Sequence, residues 1–338
     1  MKNRIMNFLA NSHLNTIAPI YLTQNIEPNY IRERFDTPDG DFIDMDWVNK
    51  SVTNQPTLIL FHGIEGSSRS HYAKRIMYYI EQLGWRGVVP HFRGCSGELN
   101  RTNKLYHAGS TEDLAWMVDI ISQRCKNKLY ATGVSLGGNA LLKYLGEHAN
   151  NHPIDAAFAI SVPFNLDVCA EHLDKGFNKY VYVKNFLSTL LPKMKQIAKQ
   201  FDNFTYIDHK IETMDEFNNT YICQMFGFRD ALDYYQKAGC ISYLKDINMP
   251  TMILQAENDP MIPVLAWPTK EQLSPTIRFV ATKTGGHAGF IALTTNYRDA
   301  LLKLPRFMVE YFNQLTNSQT VQGQQSHLET TNFFGTAT

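Results

Sequence analysis

The chain of 338 residues lacks an excess of either charge, because 32 lysines and arginines balance 32 aspartates and glutamates. Nucleic acids and anionic membranes attract proteins largely through clustered positive charge, so this balance disfavours nucleic-acid binding. The sequence also lacks any apolar run of the length that crosses a bilayer. Any contact with a membrane is therefore expected to be peripheral.

Cysteine is scarce as well. The five cysteines are odd in number and widely separated, and they form neither a Cys-x-x-Cys pair nor a cluster with the spacing of a zinc site. This pattern predicts reduced thiols, a cytoplasmic protein and no bound metal. Cys95 lies in a glycine-rich loop without a neighbouring base in the sequence, which disfavours it as a nucleophile. Residues 1–10 lack the sustained apolar stretch of a secretory signal peptide.

The composition that remains, with 44% hydrophobic and 19% charged residues, suits one α/β domain with a large core. Apolar runs alternate with amphipathic segments, which predicts a mostly parallel twisted sheet covered by helices on both faces, preceded by an antiparallel hairpin around Asp39-Gly40. Predicted strands cover 31–35, 42–48, 57–61, 85–90, 128–132, 155–161, 251–255 and 277–281, and predicted helices cover 70–83, 111–125, 139–145 and 296–314.

About ninety residues separate the predicted strands 155–161 and 251–255, too many for a single crossover. Apolar residues recur there at helical spacing, so the segment is predicted to be a helical cap inserted at about residues 163–248. The α/β domain is expected to span residues 1–315. Residues 316–338 are rich in Gln, Thr, Ser and Asn and are predicted to form a flexible tail.

Residues 130–139 are the most informative segment of the chain. An apolar run breaks there into Gly133-x-Ser135-x-Gly137, between a predicted strand and a predicted helix. In α/β-hydrolases, a pentapeptide of this form holds a nucleophilic serine on a strained turn at the carboxyl edge of the sheet. Ser135 is therefore the candidate nucleophile, although a glycine-rich turn with an incidental serine produces the same pattern.

A serine hydroxyl needs a base to take its proton and an acid to orient that base. His287 stands between glycines after the last predicted strand, and Asp259 lies in the turn after the preceding strand. The order Ser, acid, His is that of α/β-hydrolases. Glu257 is the competing acid. His62, His91 and His107 precede Ser135 and are expected to be structural or wall residues.

The negative oxygen of a tetrahedral intermediate needs backbone N–H donors. The amide of Leu136, directly after the candidate nucleophile, is one candidate. The other is expected in the glycine-rich loop after strand 57–61, where Ile64 is the first choice and Glu65 the second.

Several further short segments accompany these motifs. They are residues 11–17, 62–68, 92–98, 100–101, 106–107, 133–139, 226–228, 233–235, 259–260 and 285–287. Together they resemble the YheT-like branch of the α/β-hydrolases, a group that also contains animal and yeast lipid-ester hydrolases. The resemblance extends over roughly residues 10–315. One departure is Asn218-Asn219, where relatives often carry paired aspartates, so an ion pair from the cap to the core at that point is in doubt.

The resemblance implies a serine esterase that cleaves short or medium acyl esters, or monoacylglycerol-like lipids, through Ser135, Asp259 and His287 without a cofactor. Acyl transfer to an alcohol is a variant among eukaryotic relatives. An alternative from another class is a hydrolase-fold protein that binds lipids or partners without turnover. Neither the oligomeric state nor the substrate-binding residues follow from the sequence.

Overall fold

The computed structural model describes residues 11–291 and 296–320, with side chains up to residue 316 in the last segment. Eight strands form one sheet in the order β1-β2-β4-β3-β5-β6-β7-β8. Strands β1 and β2 and strands β2 and β4 pair antiparallel, and all other neighbours pair parallel. This confirms the predicted fold class. The strands are β1 (Ile31–Asp36), β2 (Phe42–Val48), β3 (Thr57–Phe61), β4 (Arg86–Pro90), β5 (Leu129–Val134), β6 (Ala156–Ile160), β7 (Thr251–Ala256) and β8 (Ile277–Thr282).

The edge hairpin carries an unusual buried charge pattern. Every residue of β2 is buried, including Asp44 and Asp46. Arg34 and Arg32 lie directly opposite them on β1, and each places its Nε 2.7 Å from a carboxylate oxygen of its partner. Buried carboxylates are tolerated when they are paired and hydrogen-bonded, so the alternation of Arg on β1 with Asp on β2 matches the register of the hairpin.

Five helices belong to the α/β layers. The helix His71–Gln82 buries the face with Ala73, Ile76, Met77 and Ile80, as its period predicts. The helix Ser12–Leu22 was not predicted; the Asn11 side chain caps it by accepting a hydrogen bond from the Leu14 amide. These helices are α1 (Ser12–Leu22), α2 (His71–Gln82), α3 (Thr111–Ser122), α4 (Leu136–His148) and, last in the chain, α9 (Tyr297–Thr320).

Helix α9 passes through Pro305 and ends at Thr320, so the first residues of the predicted tail are helical. The rest of the predicted tail, residues 321–338, and the N-terminal segment 1–10 lie outside the described residues.

The chain between β6 and β7 is helical. Its main helices are α5 (Leu166–Leu173), α6 (Lys184–Gln200), α7 (Met214–Phe217) and α8 (Ala231–Ala238). Shorter helical segments are Gly176–Asn178, Cys223–Phe226, the π-helical turns Lys179–Val183 and Asn218–Ile222, and the 3-10 helix Ile241–Asp246. All of these elements lie within residues 163–248, which we call the helical insertion.

Two large clusters of buried side chains divide the molecule. The larger one packs both faces of the sheet, where β3, β5, β6 and β7 are buried along their whole length. The second lies inside the helical insertion and also takes in Leu105 and Ala108 from the α/β layers. The boundary between the two clusters runs past the carboxyl end of β5, where Ser135 lies.

Candidate active site

Ser135 occupies a strained turn between β5 and α4. Its φ is +56°, a backbone conformation that residues with a side chain rarely adopt. The Ser135 amide donates to Ile160 O on β6, and Ser135 O accepts from the Gly138 amide, which fixes both sides of the turn. A Cβ at Gly137 would lie 2.3 Å from Phe61 O, so only glycine allows α4 to begin this close to β3.

Asp259 and His287 contact each other at the carboxyl edge of the sheet. His287 Nδ1 lies 2.9 Å from Asp259 Oδ2, and the Asp259 side chain is almost fully buried. The other carboxylate oxygen accepts hydrogen bonds from the amides of Met261 and Ile262, at 2.8 and 3.2 Å. The carboxylate is thus held in one orientation by its own turn. A proton on Nδ1 leaves the Nε2 lone pair of His287 available as a base.

Glu257, the competing acid from the sequence, lies elsewhere. Its carboxylate oxygens are 2.8 and 2.9 Å from Lys283 Nζ, at the surface. The structure therefore brings Asp259 and not Glu257 to the histidine.

Ser135 and His287 line the same two cavities. Among the hydrogen bonds of the described residues, none joins Ser135 Oγ to the imidazole of His287. Hydrogen bonds between a nucleophile and its base are often long in a free enzyme and shorten when substrate binds.

The loop that carries His287 is held by two hydroxyl groups that sequence reasoning did not single out. The His287 amide donates to Thr16 Oγ1 on α1, at 2.9 Å. The next amide, of Ala288, donates to Ser161 Oγ at the end of β6, at 3.0 Å. The only sequence signal for Thr16 was its place in segment 11–17 of the family resemblance.

Arg75 on α2 also holds the histidine loop. It is fully buried, and its guanidinium donates to the carbonyls of Ala288 and Gly289, at 2.8 and 2.7 Å. Burial lowers the pKa of Arg75 to about 9, which still leaves it charged at neutral pH. Its Nη2 also lies 3.4 Å from Nδ1 of His71 on the same helix. A buried cation without a carboxylate partner is costly, so its two hydrogen bonds to the histidine loop are expected to matter for the position of that loop.

The two candidates for the second oxyanion donor, the amides of Ile64 and Glu65, differ in their hydrogen bonds. The Glu65 amide donates to the hydroxyl of Tyr106 at 2.6 Å and is therefore occupied. Within the described residues, the amides of Ile64 and Leu136 have no hydrogen-bond partner; Leu136 is the first residue of α4, where such amides are free. Ile64 and Leu136 both line the cavity at Ser135.

His62 supports the loop that contains Ile64. The ring is fully buried; Nε2 accepts from the Phe92 amide at 3.1 Å, and Nδ1 lies 2.8 Å from Gly63 O. Only the neutral ring with its proton on Nδ1 satisfies both contacts, because Nδ1 then donates to Gly63 O while Nε2 accepts from the Phe92 amide. Burial, followed by electrostatic interactions with His91 and Lys193, lowers the pKa of His62 to about 3.

We expect the burial of the neutral His62 ring to make the fold less stable in acid. Between the unfolded pKa near 6.5 and the folded pKa near 3, the unfolded chain binds a proton that the folded chain excludes. The contribution of the neutral His62 ring to the free energy of unfolding is complete above pH 6.5 and falls by about 3 kcal/mol between pH 7 and pH 4. Urea unfolding of the wild type and of His62→Gln at pH 7 and pH 4 measures this loss. The free energy of unfolding of the wild type, relative to that of His62→Gln, should fall by about 3 kcal/mol from pH 7 to pH 4. Parallel pH curves for the two proteins would contradict this assignment.

The other histidines singled out in the sequence lie away from Ser135. His91 Nε2 is 2.9 Å from Asp46 Oδ2 in the core, and the ring of His107 packs against Phe226 of the helical insertion. Burial raises the pKa of Cys95 to about 12, so its thiol is neutral and a poor nucleophile.

Two cavities of different character meet at the candidate catalytic groups. The apolar cavity, of about 680 Å³ including open space, lies under the helical insertion. The second cavity has a mixed lining, and we call it the polar cavity because more polar residues line it than line the first. It measures about 1080 Å³ including open space and leads to solvent between α1, α2 and α6. Side chains on the walls of the apolar cavity include Leu166, Ala170, Leu173, Met214 and Tyr234. Those of the polar cavity include Gln24, Arg69, Ser70, His71 and Lys74.

Two features are absent from residues 11–291 and 296–320. No group of three or more His, Cys, Asp or Glu side chains is arranged to hold a metal ion. None of the helices combines the length and the apolar character needed to span a bilayer.

Comparison with known proteins agrees with this architecture. YheT of Escherichia coli (strain K12) is 34% identical over 315 residues, covering 90% of this chain and 92% of YheT. Phospholipase ABHD3 of Mus musculus is 30% identical over 318 residues, covering 89% of this chain and 77% of that protein. The solved structure of the esterase Pf2001 of Pyrococcus furiosus has the same fold, with a TM-score of 0.53, 15% identity and coverage of 89% of this chain and 94% of the other. A family model described as alpha/beta hydrolase fold matches residues 56–292. The resemblance to YheT seen in the motifs is thereby confirmed, and the chain belongs to the α/β-hydrolase family.

Proposed function

We propose that the chain is a serine esterase that cleaves carboxylic esters through an acyl-enzyme. The observation that carries this proposal is that Ser135, on its strained turn, and His287, which contacts Asp259, line one cavity. The similarity to a protein named phospholipase supports ester cleavage in general.

The proposed mechanism uses three side chains and two amides. His287 Nε2 takes the proton of Ser135 Oγ as this oxygen attacks the ester carbonyl carbon. The amides of Leu136 and Ile64 donate to the oxyanion that forms. His287 then gives the proton to the departing alcohol, and Asp259 stabilises the imidazolium meanwhile. A water molecule, deprotonated by His287, releases the acid and restores Ser135.

The two cavities suggest how an ester lies in the site. The apolar cavity suits an acyl chain, because ligand pockets for apolar groups are lined by hydrophobic side chains with few polar groups. The polar cavity then receives the alcohol part and releases it to solvent. We propose short or medium acyl esters, or monoacylglycerol-like lipids, as substrates. A series of p-nitrophenyl esters from acetate to dodecanoate tests this directly; no turnover of any member would refute it.

Filling the apolar cavity should shorten the preferred acyl chain. Ala170 on α5 is buried against this cavity, so Ala170→Phe places a ring where the distal methylenes would lie. We expect kcat/KM for octanoate and longer esters to fall at least about tenfold, since each buried methylene contributes about 0.8 kcal/mol, while acetate is cleaved within about threefold of the wild type.

The matched control is Glu171→Phe, which adds the same ring at a side chain that is 69% exposed on the same helix. If the two variants showed the same dependence of kcat/KM on acyl-chain length, the acyl chain would bind outside the apolar cavity.

A further inference from the structure

We propose that the ion pair between Lys193 and Glu65 sets the oxyanion-hole loop, so that this loop is correctly formed only when the helical insertion is seated on the α/β core. This inference rests on the proposed esterase function. Lys193 Nζ lies 2.7 Å from Glu65 Oε1, and the side chains are 19% and 8% exposed. Within the described parts of the chain, no other ion pair joins residues 163–248 to the rest of the protein.

Glu65 directly follows Ile64, whose amide is the proposed oxyanion donor. Its φ is +53°, an unfavourable conformation for a residue with a side chain, so contacts must hold it. The Glu65 amide donates to the Tyr106 hydroxyl at 2.6 Å, and this hydroxyl lies 3.1 Å from Glu65 Oε1. The backbone amide and the carboxylate of Glu65 therefore contact the same buried hydroxyl, that of Tyr106. A carboxylate that leaves the Tyr106 hydroxyl is therefore expected to disturb the hydrogen bond that fixes the peptide next to Ile64.

Lys193 provides the only positive charge at this carboxylate among the described residues. The other neighbours of Glu65 Oε1 are the Tyr106 hydroxyl and the Cys95 thiol, which lies at 4.0 Å. Both are neutral, because burial raises their pKa values, that of Cys95 to about 12. Without Lys193 the carboxylate is a largely buried, unpaired charge, and it is expected to turn toward water.

Lys193 lies on α6, which also forms a wall of the site. Phe186, near the start of that helix, lines both cavities. Leu190, Met194 and Ile197 of α6 are buried in the core of the helical insertion, so Lys193 moves with the insertion as a unit. A movement of α6 that widens the cavity separates Lys193 from Glu65 and releases the Ile64 loop. Lys193 and Glu65 are thus positioning residues that link substrate entry to formation of the oxyanion hole.

The test compares Lys193→Met, Lys193→Arg and the double variant Lys193→Met with Glu65→Gln against the wild type on p-nitrophenyl butyrate. Lys193→Met should lower kcat by about 10- to 100-fold and change KM less than about threefold, because the weakened contact acts on the transition state. Lys193→Arg keeps the charge and should recover kcat to within about threefold. Glu65→Gln combined with Lys193→Met should lose no more than Lys193→Met alone, because the neutral amide needs no cation.

The matched control is Lys195→Met, an exposed lysine two residues away on the same helix. Hydrogen exchange of the peptide that covers residues 63–66 provides a readout that does not need turnover. Lys193→Met should speed exchange there, and Lys195→Met should not. Unchanged kcat and exchange in Lys193→Met, a change confined to KM, or equal effects of Lys193→Met and Lys195→Met would overturn the inference. Absence of ester turnover in the wild type would instead refute the proposed function, and the exchange data would still decide the role of the ion pair.

Discussion

Ser135→Ala is expected to lower kcat for ester hydrolysis by about 10⁴-fold or more, with little change in KM or in thermal unfolding. Loss of the nucleophile removes the acyl-enzyme route, whereas the cavities and the oxyanion donors remain. Alanine keeps the Cβ at this position, so the turn with φ of +56° changes little in strain. Steady-state kinetics with p-nitrophenyl butyrate and a melting curve measure the two quantities.

A fluorophosphonate probe gives an independent readout of the same change. It should label the wild type on the peptide that contains Ser135 and leave Ser135→Ala unlabelled. The control is Ser188→Ala, an exposed serine on α6, which should label and turn over like the wild type. Retention of near wild-type turnover by Ser135→Ala would remove the proposed mechanism.

Asp259→Asn is expected to lower kcat by about 10³- to 10⁴-fold while the protein stays folded. The asparagine oxygen still accepts from the amides of Met261 and Ile262, which the carboxylate serves now. Its NH₂ group then faces Nδ1 of His287, which favours the tautomer with the proton on Nε2. In that form the ring cannot take the proton of Ser135, and the imidazolium loses its negative partner.

The matched control for Asp259→Asn is Glu257→Gln, the other acid that the sequence left open. Glu257 pairs with Lys283 at the surface, so its substitution should leave kcat within about twofold of the wild type. If Glu257→Gln proved the more damaging of the two, Asp259 would not be the acid that orients the histidine.

The local features of the fold could be predicted from the sequence because they depend on local chemistry. Strands β3, β5, β6 and β7 are short apolar runs that are buried along their whole length, and α2 shows its buried face at helical spacing. The turn at Ser135 is also local, since Gly137 is required by a backbone oxygen 2.3 Å from its missing Cβ. Helix α1 escaped prediction because it buries few side chains of its own, among them Asn15 and Thr16.

The choices between near neighbours in the sequence could not be predicted, because they depend on groups that are distant in the chain. Tyr106 accepts from the amide of Glu65, whereas within the described residues the amide of Ile64 has no partner. Glu257 pairs with Lys283, and Asp259 contacts His287. The contact of Arg75 with the histidine loop joins residues more than 200 positions apart, and no periodicity reports such a contact.

The sequence by itself thus determined the class of fold, the strained serine turn and the order of the candidate catalytic residues, because strand and helix periods and glycine geometry act over a few residues. Only the tertiary structure decided which acid meets the histidine, which amide is free to bind an oxyanion, and that Lys193 of the helical insertion reaches Glu65. The reason is physical: hydrogen bonds and ion pairs at the carboxyl edge of the sheet form between loops that the sheet brings together from distant parts of the chain.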